Sequence, residues 1–179
     1  MRVAIVLSGV VLVLALVYAL FNSILISIVS LNNSMKITSP AFKNNSSIPL
    51  LYTCDGKNIN PPLLISATPK ETKSLALIVD DPDAPVGLWV HWIVWNIPPD
   101  AKEIKENSVP EGSIEGMTNF GKSGYGGPCP PSGEHRYFFK LYALDSELNI
   151  PPTADKMALE DAMIGHVLEK TELLGLYSR

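Results

Sequence analysis

Three segments of the 179-residue chain carry side chains that could do chemistry together. The first is Asp81-Pro82-Asp83-Ala84-Pro85, two carboxylates among prolines that lock φ and stiffen a turn. Alone, it also reads as a turn of solvated acids. The second is His91, inside the aromatic and β-branched run Trp89–Asn96. Alternation puts His91, Ile93 and Trp95 on one face of a strand and Val90, Trp92 and Val94 on the other. A hydrogen-bonded core histidine would look the same. The third is GYGGPCPPSGEHRY, Gly124 to Tyr137, a Gly/Pro loop that runs into a strand. Amides at its glycines can line an anion site. His135 and Tyr137 share a face, while Arg136 points the other way, toward an ion pair inside the fold. The three segments bring a carboxylate, two imidazoles and a phenol. A carboxylate beside an imidazole orients the ring and raises its pKa, so two such rings make a small site for an oxyanion such as phosphate.

Other chemistries use the same residues. Cys129, His135 and Asp81 are the types of a thiol hydrolase. Prolines flank Cys129, however, and no strand-to-helix elbow presents it. His91, His135 and Asp81 are the types of a two-histidine, one-carboxylate metal site. The expectation is no catalytic residue, no metal and no cofactor, with the hydrolase as the minor alternative. Cys54 and Cys129 are the two cysteines, and they either form one disulfide or stay as thiols. The net charge of −4 and the lack of any Lys/Arg run argue against nucleic acid as a partner.

These residues need a rigid frame. Ser74 to Asp80, Trp89 to Asn96 and His135 to Leu144 are apolar runs bounded by turn residues, and read as buried strands. Ile37 to Phe42 and Pro62 to Ser66 are weaker strands. Glu111 to Gly133 reads as a long glycine-rich loop. After the Pro151-Pro152 break, Thr153 is positioned to cap a helix from Ala154 to about Leu174. Met157, Ala158, Met163, Ile164, Val167 and Leu168 would form its buried stripe. His166 falls on that helix and is read as structural.

The N-terminus has a different character. Val3 to Leu31 holds no charge and exceeds the roughly 20 apolar residues of a bilayer span. Residues 1–31 therefore read as one transmembrane helix, an anchor, or a signal segment if cleaved. Residues 32–47 read as an Asn/Ser-rich linker that overlaps the start of a domain over 37–179. Three Asn-x-Ser acceptor patterns, at Asn32, Asn44 and Asn45, fit an exposed tether or arise by chance in such a linker. The expected placement is membrane-anchored through residues 3–31, N-terminus inside and domain outside the cytoplasm, or secreted after cleavage.

From Ile37 to Arg179 the chain resembles the phosphatidylethanolamine-binding, or Raf-kinase-inhibitor-like, proteins. DPDAP at 81–85, followed by WVHWIVWN, resembles the family's first signature, and GGPCPPSGEHRY at 126–137 the second. TCDGKNINPPL and the ending GHVLEKTELLGLYSR are similar to the bacterial and archaeal branch. The resemblance implies a mainly β, sandwich-like domain with a C-terminal helix and a shallow anion pocket for phosphate or a phospholipid headgroup. Carried over by motif, Asp81, His91, His135 and Tyr137 line the pocket, Pro85, Gly127 and Pro128 shape its rim, and Asp83 braces the turn. It also implies a kinase or a protease as partner and allows a homodimer; for a protease, the candidate surface on this chain is the loop 111–123.

Overall fold

The three long apolar runs become the centre of one sheet. A computed structural model of the chain describes residues 14–25 and 34–179. It falls into two units, Met1–Ser34 and Met35–Arg179. In the second, β1 (Lys36–Thr38), β3 (Leu63–Ser66) and β6 (Glu103–Ile104) form a three-stranded sheet. The other strands are β2 (Ser46–Ser47), β4 (Ser74–Asp81), β5 (Trp89–Ile97), β7 (Ile114–Glu115), β8 (Glu134–Leu144) and β9 (Val167–Ser178). They form a six-stranded sheet in the order β2-β9-β8-β4-β5-β7.

Both faces of the large sheet are covered, which is why every residue of β4 is buried. On one face Leu75, Leu77, Val79, Trp92, Phe139 and Leu141 meet Ile37, Leu63, Ile65 and Ile104 of the small sheet. On the other, Ala76, Ile78, Ile93 and Trp95 meet Leu148, Leu159 and Met163. Each fully buried aliphatic side chain stabilises the fold by about 1.5–3 kcal/mol. The mainly β sandwich agrees with the sequence reading.

The C-terminal helix does not extend as the periodicity implied. Helix α2 spans Lys156–Met163 only, and Asp155 rather than Thr153 caps it, accepting from the Ala158 amide at 3.0 Å. Gly165, at φ +81°, ends it in the left-handed region. The chain then turns through His166 into β9, which pairs with β8 along its whole length. Leu159 and Met163 are buried, whereas Met157, Ile164, Val167 and Leu168 are exposed. The apparent stripe joined half a helix to half a strand. His166 lies in the turn, its Nδ1 2.8 Å from Asp145.

The N-terminal expectation is also corrected. In the first unit, the described residues 14–25 are helical and form α1. Among the described residues no helix is long and apolar enough to cross a membrane. The transmembrane helix, and the membrane-anchored placement built on it, are therefore not supported. The flanking parts of that expectation, 1–13 and 26–33, lie outside the described residues, as does the Asn32 pattern. The expected linker over 32–47 overlaps the folded unit: β1 and β2 are strands of its two sheets, and Asn44 accepts from the Leu174 amide at 2.8 Å.

Candidate functional site

Asp81 is the last residue of β4, and its side chain is held from two sides. Its Oδ1 accepts from the Asp83 amide at 2.8 Å, which closes the turn at Pro82. Its Oδ2 accepts from His135 Nδ1 at 2.8 Å. Asp83 then receives Arg136 twice, Nε at 2.8 Å and Nη2 at 2.7 Å, and the Arg136 amide at 3.0 Å. Those bonds hold its carboxyl below the usual carboxylate range. The turn from β4 is thus tied to the start of β8, where His135 sits.

His91 departs from simple alternation. The register of β5 against β4 slips between Val79, opposite Trp92, and Asp80, opposite Val90. That β-bulge leaves His91 as the extra residue. Val90 joins Ile93 and Trp95 on the face toward α2. His91 instead packs edge-on against Tyr137 and Phe120, with ring centroids 5.1 and 5.3 Å apart. Bulges commonly re-aim a side chain beside a functional site. Its Nδ1 donates to the Gly126 carbonyl at 2.6 Å, and its own carbonyl accepts from the Gly126 amide at 2.9 Å. Each imidazole is therefore held through Nδ1, and Nε2 is the atom it can offer a ligand.

The two rings share a cavity of about 350 Å³ with Asp81 and Pro85. Its remaining wall is apolar, formed mainly by Trp89, Phe120, Pro130 and Pro131. Val86, at the rim, is 78% exposed. Tyr137 lies behind the cavity, fully buried, with a hydroxyl that makes no hydrogen bond of ordinary geometry. Burial, and then the nearby Asp81 charge, push its pKa up. Gly127 and Pro128 do not line the cavity. The Gly127 amide donates to Asn58 Oδ1 at 2.7 Å, and a Cβ there would sit 2.5 Å from the Tyr52 carbonyl, so only glycine allows this approach. The Pro128 carbonyl accepts from the Cys54 amide at 3.1 Å. Sequence reading missed the apolar wall and the Gly126 carbonyl. Trp89 was legible as the first residue of its strand, but nothing local marks Phe120.

Burial lowers the His91 pKa and outweighs the Gly126 carbonyl and the Asp81 charge, which act to raise it. This ring is thus more easily neutral than the sequence implied. Cys129 is bonded to Cys54, with Cα atoms 5.4 Å apart, so its sulfur is not a thiolate nucleophile in this state. Among the described residues no group of three His, Cys, Asp or Glu side chains is placed to hold a metal ion. Within the loop 111–123, β7 pairs with β5 and Glu115 accepts from the Trp92 indole at 2.7 Å, while Asn119 to Ser123 are exposed.

The family model for phosphatidylethanolamine-binding protein matches residues 38–178. The chain belongs to that family. A UPF0098 protein of Methanothermobacter thermautotrophicus is 52% identical over 150 residues, 81% of this chain and 99% of the relative. One from Pyrococcus horikoshii is 51% identical over 155 residues, 82% of this chain and 77% of the relative. Among solved structures, a phosphatidylethanolamine-binding protein homologue from Chlamydia trachomatis superposes with a TM-score of 0.79 at 43% identity. It covers 82% of this chain and 99% of its own. An Escherichia coli protein, a member of the mammalian family by its name, gives 0.77 at 29% identity over the same shares. The segments 81–91 and 129–135 supply most of the cavity's lining and are joined by the bond from His135 to Asp81, while Phe120 comes from a third segment.

Proposed function

We propose that this member of the phosphatidylethanolamine-binding family is a non-enzymatic binding module whose cavity takes the phosphate group of a small ligand. The observation that carries the reading is the paired imidazoles, each held by a hydrogen bond at Nδ1 and lining one cavity. Asp81 spends one oxygen on His135 and one on its own turn, so its charge orients His135 more than it repels an anion. The apolar wall excludes water and strengthens the few polar contacts inside.

The protonation logic favours an anion that brings a proton or takes one up. A neutral His91 has Nδ1–H on the Gly126 carbonyl and a lone pair at Nε2. A singly protonated phosphate can donate to that lone pair, and a dianion needs the ring protonated first. The second pKa of a phosphate monoester is about 6, so affinity rises as pH falls from about 8 to about 6.

The test is calorimetry and His ring NMR on the full chain with inorganic phosphate, phosphoethanolamine and glycerophosphoethanolamine. The first two are a free anion and a monoester, and the third is a headgroup diester without acyl chains. Binding with shifted His91 and His135 ring signals, lost in H91A/H135A, supports the reading. No heat and no shift at millimolar ligand overturns it. Preference for the third ligand assigns the site to lipid headgroups, and equal or better binding of the first two assigns it to free phosphate groups.

A further inference from the structure

One wall of the cavity is fastened in an unusual way. Residues Cys129 to Ser132 make no backbone–backbone hydrogen bond among the described residues. On the near side, Gly126, Gly127 and Pro128 bond to His91, Asn58 and Cys54. On the far side, the Gly133 and Arg179 backbones bond to each other at 3.1 and 3.2 Å. Between these anchors lie Cys129, Pro130 and Pro131, which form part of the cavity wall. Two of the three are prolines and have no N–H to donate. The covalent tie of this stretch is the disulfide to Cys54. Cys129 is exposed and lines the cavity, and Cys54 is half-buried, so the bridge lies at the surface rather than in the core.

We propose that Cys54–Cys129 is a thiol–disulfide exchange site, and that its reduction by a dithiol loosens the cavity wall and weakens anion binding. A thiolate of the dithiol attacks the sulfur of Cys129, the more exposed of the two residues. The S–S bond breaks, and Cys54 leaves as a thiolate that takes up a proton. The second thiol of the reductant attacks the sulfur of its own mixed-disulfide half, and Cys129 leaves in turn. The protein gains two thiols and two electrons, and the reductant becomes a disulfide. The Cys54 amide, which holds the Pro128 carbonyl, belongs to the other half of the bridge, so a shift of Cys54 on reduction reaches Gly126, two residues before Pro128, and the His91 ring its carbonyl holds. Coupling of this kind is reciprocal. If the bridge strengthens phosphate binding about tenfold, bound phosphate makes the bridge harder to reduce by about 30 mV for the two-electron couple.

The inference rests on the proposed anion site, and the experiment keeps the two apart. The full chain is treated with dithiothreitol without denaturant, and thiols are counted by alkylation and mass. The His91 ring signals and phosphate affinity are then read in both redox states. The expected result is two new thiols, far-UV circular dichroism unchanged, a displaced His91 signal and an about tenfold weaker phosphate Kd. A bridge that resists dithiothreitol in the folded chain overturns the proposal. So does unfolding on reduction, which makes the bridge a staple only, or a reduced protein whose His91 signal and phosphate affinity are unchanged. If the oxidised chain binds no phosphate, the anion reading fails, and the His91 signal alone decides whether the wall is redox-coupled. C54A/C129A repeats the comparison without reductant.

Discussion

Asp80 and Asp81 are neighbours on one strand, equally out of reach of solvent, and do different work. Asp80 faces α2 and is fully buried. Lys140 Nζ donates to both of its oxygens, at 2.7 and 2.8 Å, and Lys156 stands 3.9 Å away. That carboxylate is matched by two lysines. Asp81 faces the opposite way, also buried, and its partner is an imidazole whose far nitrogen faces a cavity. A closed ion pair holds structure, because every strong group in it is used. A carboxylate paired with a titratable ring passes its influence to whatever the ring binds.

The contrast is broken most severely at Asp80. D80A leaves Lys140 as an uncompensated, mostly buried charge and should cost about 3–5 kcal/mol. Chemical denaturation measures this, and the protein that remains folded should bind phosphate as before. Loss of binding in that folded fraction would show that the two faces are not independent.

Removing the disulfide comes next. Its sequence separation is 75 residues, and the chain-entropy model gives about 4 kcal/mol for such a closure. C54A/C129A should show that loss in denaturant midpoint. A loss well below it would mean that the unfolded chain is already compact.

Asp81 sharpens the comparison. D81N keeps the shape but takes the charge from His135, and should cost about 1–3 kcal/mol. Unlike D80A, it should weaken phosphate binding by at least about tenfold, a difference of 1.4 kcal/mol, as read by calorimetry. Affinity unchanged in D81N would remove the site role from Asp81.

A smaller effect lies in the pH dependence. His91 has a lowered pKa when folded, so the unfolded chain takes the proton first. Its contribution to stability is present above about pH 6.5 and is lost as pH falls through the lower folded pKa. H91F should flatten the denaturation midpoint against pH over that window, and an unchanged profile would contradict the burial argument. Least of all, R136A removes a half-exposed pair with Asp83 and should cost about 0.2–1 kcal/mol. A larger cost would mean that this pair helps to set the geometry of the Asp81 turn.

Much of this was written locally in the chain. The runs around Leu77, Ile93 and Phe139 are apolar enough, and bounded closely enough by Pro and Gly, to be strands in any context. Asp81 and His135 could be grouped because each lies at the end of such a run. The end of the chain was misread because period-3 and period-4 matches over 157–168 span a helix and a strand, with Gly165 between them as an unused stop signal. The segment before Asn32 was read from its apolar, charge-free length, and among the described residues no helix is long and apolar enough to cross a membrane.

By itself the sequence determined which residues enter the core, which turns are stiff and which side chains could meet an anion. These follow from apolarity, φ restriction and side-chain chemistry, all properties of short windows. Only the tertiary structure decided that a bulge turns His91 toward Tyr137. It also decided that Gly126 holds the His91 ring, and that Cys54 closes on Cys129 across 75 residues. Each of these is a pairing between distant segments, and its geometry exists only once the sheets have packed.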